Sequence, residues 1–126
     1  MFNSILVISI GASFGAVLRW FLGLQFNALF PTIPMGTVAS NLIGGYMVGL
    51  AIGFFNHHPL MSPEYRLLII TGFLGGLTTF STFSAEVAKL IQTEQFGWAL
   101  ATISLHVIGS VALTILGMMT INYLRS

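Results

Sequence analysis

The sequence predicts an all-α membrane protein, a single domain over residues 1–126 made of four transmembrane helices per subunit with the third helix broken. Three observations carry this. The chain is 56% hydrophobic and only 6% charged, against roughly 25% charged in ordinary soluble domains, so too little polar surface remains to wrap a soluble core. Its breakers, PTIP at 31–34, NHHP at 56–59 and TEQ at 93–95, divide it into four apolar segments, each near or above the ~20 residues that cross a bilayer core. The connections are short, so residues with chemistry must act inside the membrane or at its edge. The chain has no cysteine, which excludes a disulfide framework or a thiolate metal site. Its net charge of +1 leaves no basic face for nucleic acid.

The first span is expected from Ile5 to Phe30. The opening MFNSILVISIGASFGA lacks the basic start of a signal peptide, and the apolar pattern runs on to residue 30, so it reads as the first span. Gly11, Gly15, Arg19 and Gly23 recur every four residues, which places a permanent cation on the face built for close packing. Arg19 stands about nine residues before the end of the span, roughly 13 Å of helix. It either stretches to the interface or faces a water-filled vestibule, where it would attract an anion. The second span, Met35 to Phe55, sets Thr37 and Asn41 on one face. The Asn41 amide either bonds a neighbouring helix or offers N–H donors without a competing charge.

The third span, Glu64 to Gln92, contains GFLGGLTTFSTFS at 72–84, where glycines, hydroxyls and phenylalanines crowd together. The glycines allow the helix to open near Gly75 to Thr78. A half-helix ending there leaves carbonyls that hydrocarbon cannot satisfy and a hard cation such as Na+ can. The following TTFSTFS would start a second half-helix whose hydroxyls cap and whose free N–H groups favour anions. Phe80 and Phe83, spaced i, i+3, either pack ordinarily or turn their positive ring edges to an anion. Thr78 and Thr82 lead down one stripe to Glu86, which either caps a vestibule or is simply solvated. The fourth span, Phe96 to Tyr123, carries a polar line of Thr102, His106, Ser110 and Thr114 at four-residue spacing. His106 by itself reads more readily as a bonded interior residue than as a ligand.

Charge does not choose an orientation. Arg66 and Arg125 fall on one side of the membrane, Lys89 and Arg19 on the other, so the positive-inside rule is evenly divided. The division is either a small-number effect or the mark of insertion both ways and assembly as an antiparallel dimer. The small-xxx-small pairs Gly11/Gly15, Gly45/Gly49/Gly53 and Gly72/Gly76 call for close backbone approach, within a subunit or between subunits.

Three blocks, GASFGAVLRW at 11–20, GTVASNLIGG at 36–45 and GFLGGLTTFSTFSAE at 72–86, fall in order in the first three spans. In these blocks, and in length and span count, the chain resembles the CrcB/Fluc family of small bacterial fluoride channels. The resemblance implies an antiparallel dual-topology homodimer in the bacterial inner membrane with two passive, fluoride-selective pores. It implies Phe80 and Phe83 as pore-lining rings, Asn41 as the pore amide and Arg19 as the vestibule cation. Ser81, Thr82, Thr37 and Ser110 would supply hydroxyls along the path, with Glu86 near one end. The main-chain oxygens of Gly75 and Thr78 would hold a structural Na+ at the dimer interface. A rival is a small proton-coupled cation or drug antiporter, also a four-span dual-topology dimer, but one expected to need a carboxylate within the membrane; only Glu86 is available. No nucleophile with a base, metal-ligand cluster or phosphate loop suggests an enzyme.

Overall fold

The computed structural model describes residues 1–125. Helix α1 spans Phe2–Phe26 and runs into a 3₁₀ turn at Asn27–Leu29; α2 spans Met35–Asn56. The third segment comprises α3 (Pro63–Arg66), a π-helical stretch Leu67–Leu74, the single turn α4 (Gly75–Leu77) and α5 (Ser81–Gln92), and the chain closes with α6 (Phe96–Arg125). Taken as Phe2–Leu29, Met35–Asn56, Pro63–Gln92 and Phe96–Arg125, these make four helical spans long and apolar enough to cross a membrane. The expected boundaries hold to within a few residues, the first span starting earlier, at Phe2.

Local chemistry explains the starts. Ser62 accepts a hydrogen bond from the Glu64 N–H at 3.4 Å, with Pro63 at the first helical position, where its missing N–H costs nothing. Pro34 precedes α2 and has no side chain able to cap it, so Asn27 does so from the end of the first span. Its Oδ1 accepts from the N–H groups of Gly36 (2.8 Å) and Thr37 (3.3 Å). At the start of α5, Thr79 Oγ1 accepts from the Thr82 N–H at 3.1 Å.

The bundle consists of two tight pairs, α1 against the third segment and α2 against α6. Glycines make both contacts. Gly11 and Gly15 lie against the backbone of Leu68, Phe73 and Leu77, while Gly72 and Gly76 face Ile8 and Ala12; Gly45, Gly49 and Gly53 meet Ser110, Thr114, Gly117 and Ile121. The small-residue stripes are therefore used inside one chain. This corrects the expectation that the glycines of the third span open its helix. Gly75 has helical dihedrals (φ −63°, ψ −36°), and no glycine among the described residues has positive φ. Their missing side chains let α1 approach, and the residues outside the helices are Thr78–Phe80, with Thr78 extended at φ −84°, ψ 154°.

A methyl on Gly49 would collide with the Thr114 carbonyl on α6. Gly49→Ala is expected to destabilise the fold by about 1–3 kcal/mol, measured by unfolding in detergent. Gly97→Ala, where a methyl meets nothing within 4 Å, should change stability by no more than about 0.5 kcal/mol.

Candidate functional site

In a continuous helix the Thr79 N–H would bond to the Gly75 carbonyl, and the Phe80 N–H to that of Gly76. The extended Thr78 prevents this, and other spans supply partners. Asn41 on α2 meets Thr79 twice: its Oδ1 accepts from the Thr79 N–H at 2.7 Å, and its Nδ2 donates to the Thr79 carbonyl at 3.0 Å. Arg19 on α1 donates from Nε to the Gly76 carbonyl at 3.0 Å. Thr78 bonds back to the Leu74 carbonyl through both its N–H and its hydroxyl. The carbonyl of Gly75 thus loses its regular helical partner.

The double contact also fixes the chemistry of His106. A backbone N–H only donates and a carbonyl only accepts, so the Asn41 amide has one possible orientation, with Nδ2 toward His106. That nitrogen lies 2.9 Å from His106 Nδ1, which must accept. The neutral imidazole therefore carries its proton on Nε2, and this N–H is buried without a hydrogen-bond partner among the described residues. His106 is only 3% exposed. Beside it lies Phe83, ring centroids 4.7 Å apart, and Phe83 meets Phe80 edge-on at 5.5 Å and 65°.

Phe83 is 7% exposed and Phe80 77%. The two rings touch, yet they do not share one helix face as expected: Phe80 precedes α5 and points outward. With Asn41, His106 and Ser110 they border a cleft of about 300 Å³. Ser110 sits on the α6 polar line between His106 and Thr114, whose hydroxyl donates to the carbonyls of Gly45 and Ser110. Thr102, in that same line, is fully buried and bonded to its own helix at the Trp98 carbonyl.

Thr79 also borders a second cleft, of about 240 Å³, with Arg19, Asn27, Thr37 and Thr82. Thr37 donates its hydroxyl to Glu86 Oε2 at 2.6 Å, while Oε1 of that carboxylate is buried without a partner among the described residues. Glu86 itself lines a third depression with Lys89, Thr32 and Gln95. Arg19 and Glu86 thus border different hollows, joined through Thr37. Ser81 is exposed on α5, 3.3 Å from the Thr79 hydroxyl, and lines none of the three.

Sequence reasoning missed Thr79, Gly76 and Asn27, and found no role for His106. Thr79 carried a signal, the hydroxyl three residues before Thr82 that marks a helix cap; the others are visible only once spans are packed.

The family profile described as CrcB-like protein, Camphor Resistance (CrcB), matches residues 6–118. A protein of Pseudomonas syringae pv. maculicola named fluoride-specific ion channel FluC is 63% identical over 120 residues, covering 95% of this chain and 94% of the relative. Proteins of the same name from Tolumonas auensis and Nitrosomonas europaea are 60% and 52% identical, each with at least 98% of both chains covered. Four apolar spans in a chain matched end to end by channel proteins describe a multi-pass membrane protein, and the profile match over nearly all of its length assigns the chain to the CrcB-like protein family.

Proposed function

We propose that the protein is a passive fluoride-selective channel that lets cytoplasmic fluoride leave a bacterial cell through the inner membrane. The observation that carries this reading is the cluster around Asn41, where an amide, a buried imidazole N–H and two phenyl rings meet beside a cleft with no carboxylate among its lining residues. Fluoride is small and strongly hydrated, so a pore must replace its water with many donors while binding weakly enough to release it. Phenyl edges, an imidazole N–H and the hydroxyls of Ser110, Thr82 and Ser81 suit that need, while the Thr37 hydroxyl reaches the path only by giving up its bond to Glu86. A fluoride leak serves the cell because HF enters from acid surroundings, ionises in the more alkaline cytoplasm and accumulates.

Phe80 turns most of its ring away from its own chain, and this supports a pore completed by a second copy. The assembly is an antiparallel dual-topology homodimer with two pores, in agreement with the even division of basic residues. In this reading the third span is a broken helix, and a structural Na+ sits where the two copies meet, held by the main-chain oxygens of Gly75 and Thr78. The fit is good at Gly75: its carbonyl lacks the usual N–H, and a side chain there would meet only the Ile70 oxygen, at 3.6 Å. Arg19 and Glu86 stand at the vestibules.

Proteoliposomes loaded with fluoride test the function. Electrogenic fluoride efflux with chloride retained is the expected result; proton-coupled cation uptake through Glu86 would mark an antiporter instead. Exhaustive Na+ removal from both sides should lower the efflux rate severalfold, and an equal rate in Na+-free buffer would remove the cation from the assembly.

A further inference from the structure

Asn27 ends the first span, eight residues beyond Arg19 and on the same four-residue stripe, about 12 Å farther along the helix axis. Gly23 lies between them on that stripe and adds no side chain to the cleft, whose wall Trp20 and Leu24 also line. Gly36 packs directly on Gly23 and Leu22, bringing the start of α2 within reach of Asn27. The Asn27 Oδ1 is committed to the N–H groups of Gly36 and Thr37. Both are donors only, so the amide orientation is settled, and Nδ2 is the end left over.

That nitrogen has no hydrogen bond among the described residues, and Asn27 is exposed on the wall of the cleft it shares with Arg19, Thr37 and Thr82. The other donors there are largely used. The Thr37 hydroxyl donates to Glu86, Arg19 Nε donates to Gly76, and the Thr82 N–H is taken by Thr79. What remains facing the cleft is the terminal part of the Arg19 guanidinium, the Thr82 hydroxyl and, nearest the end of the span, the Asn27 carboxamide N–H groups.

We propose that Asn27 is an anion-capturing residue at the mouth of the pathway, receiving fluoride at Nδ2 and handing it along the groove to Arg19. Capping α2 with the oxygen and binding the anion with the nitrogen are two uses of one amide. This rests on the channel reading. A neutral amide suits the position because it favours an anion without the retention that a second fixed cation beside Arg19 would cause.

The two uses separate in Asn27→Asp, which keeps an oxygen acceptor for the α2 cap, where a negative charge at a helix start is favourable, but has no N–H. Efflux is measured against fluoride concentration in proteoliposomes, with thermal unfolding alongside. The expected result is an unfolding temperature at or above that of the unaltered protein and a half-saturating fluoride concentration raised about tenfold, the weight of one charge-assisted hydrogen bond, with the larger share of the effect there rather than in the saturated rate. An unaltered concentration curve in a folded variant would reduce Asn27 to a helix cap and overturn the proposal. Independently of the variant's folding, fluoride titrated into the unaltered protein labelled with 15N-asparagine should move the Asn27 side-chain amide resonance, and a stationary resonance would equally overturn it. If the unaltered protein carries no fluoride at all, the channel reading fails and the capture role falls with it.

Discussion

Replacing Phe80 by isoleucine is expected to remove most fluoride flux while leaving the fold intact. Phe80 is 77% exposed and precedes α5, so its removal gives up little burial; the lost edge contact with Phe83 is worth about 0.5–1.5 kcal/mol. Isoleucine is apolar and of comparable bulk, yet it has no ring and so no positive edge. If that edge stabilises the passing anion by even 1.4 kcal/mol, efflux falls roughly tenfold. Phe83→Ile should lower flux as far or farther, but Phe83 is buried against His106, and reshaping a packed site adds about 1–3 kcal/mol of destabilisation. Phe80 is therefore the cleaner test. Unchanged efflux with a folded Phe80→Ile protein would take the ring out of the pathway.

The second large effect is expected at Asn41. Asn41→Leu leaves the N–H and carbonyl of Thr79 and the Nδ1 of His106 without their partner in a buried site. Buried polar groups left unsatisfied cost about 1–3 kcal/mol each, so a loss of at least about 3 kcal/mol is expected in detergent unfolding, together with loss of flux. Asn41→Asp tests the amide's donor end: it also gives up the bond to the Thr79 carbonyl, so a loss of about 1–3 kcal/mol accompanies it. A carboxylate still accepts from the Thr79 N–H but cannot donate to His106, so Nδ1 must carry a proton, by a shift of tautomer or as the imidazolium. The 15N shifts of the imidazole should report Nε2–H in the unaltered protein and Nδ1–H in the variant, and the negative charge should exclude the anion. An Nδ1–H tautomer in the unaltered protein would contradict the orientation assigned to the amide.

The four spans were legible because apolar length and breakers are local properties, and Thr37 with Asn41 because four-residue spacing fixes one helix face. Other features depend on contacts between spans. The π-helical Leu67–Leu74 has no local sequence mark; it accompanies the seating of Gly72 on α1, and the Gly75 N–H reaches back five residues to the Ile70 carbonyl as well as to Gly72. Glycine after glycine in GFLGG suggested dihedral freedom, but the same residue also permits close approach, and periodicity cannot tell these uses apart. His106 looked like one polar residue in a line of four. Its importance comes from a partner 65 residues away. Asn27 was invisible for the same reason, since its oxygen serves a helix that starts after the next loop.

The pairing of Asn41 with Thr79 has one more consequence. A carboxamide that accepts from a residue's N–H and donates to its C=O does what a second peptide group would do, so the third segment borrows one peptide unit from the second span to bridge its missing turn. The bridge has the strength of regular backbone pairing, but its foothold is on another helix. Residue 79 is tied to α2 by two hydrogen bonds, and α2 is tied in turn to Glu86 of α5 through Thr37 and to Asn27 through Gly36 and Thr37. In the proposed pathway this ties mouth to centre, and a substitution far from the rings, at the seam between α2 and α6, is expected to change conduction by tilting the helix from which that unit is lent.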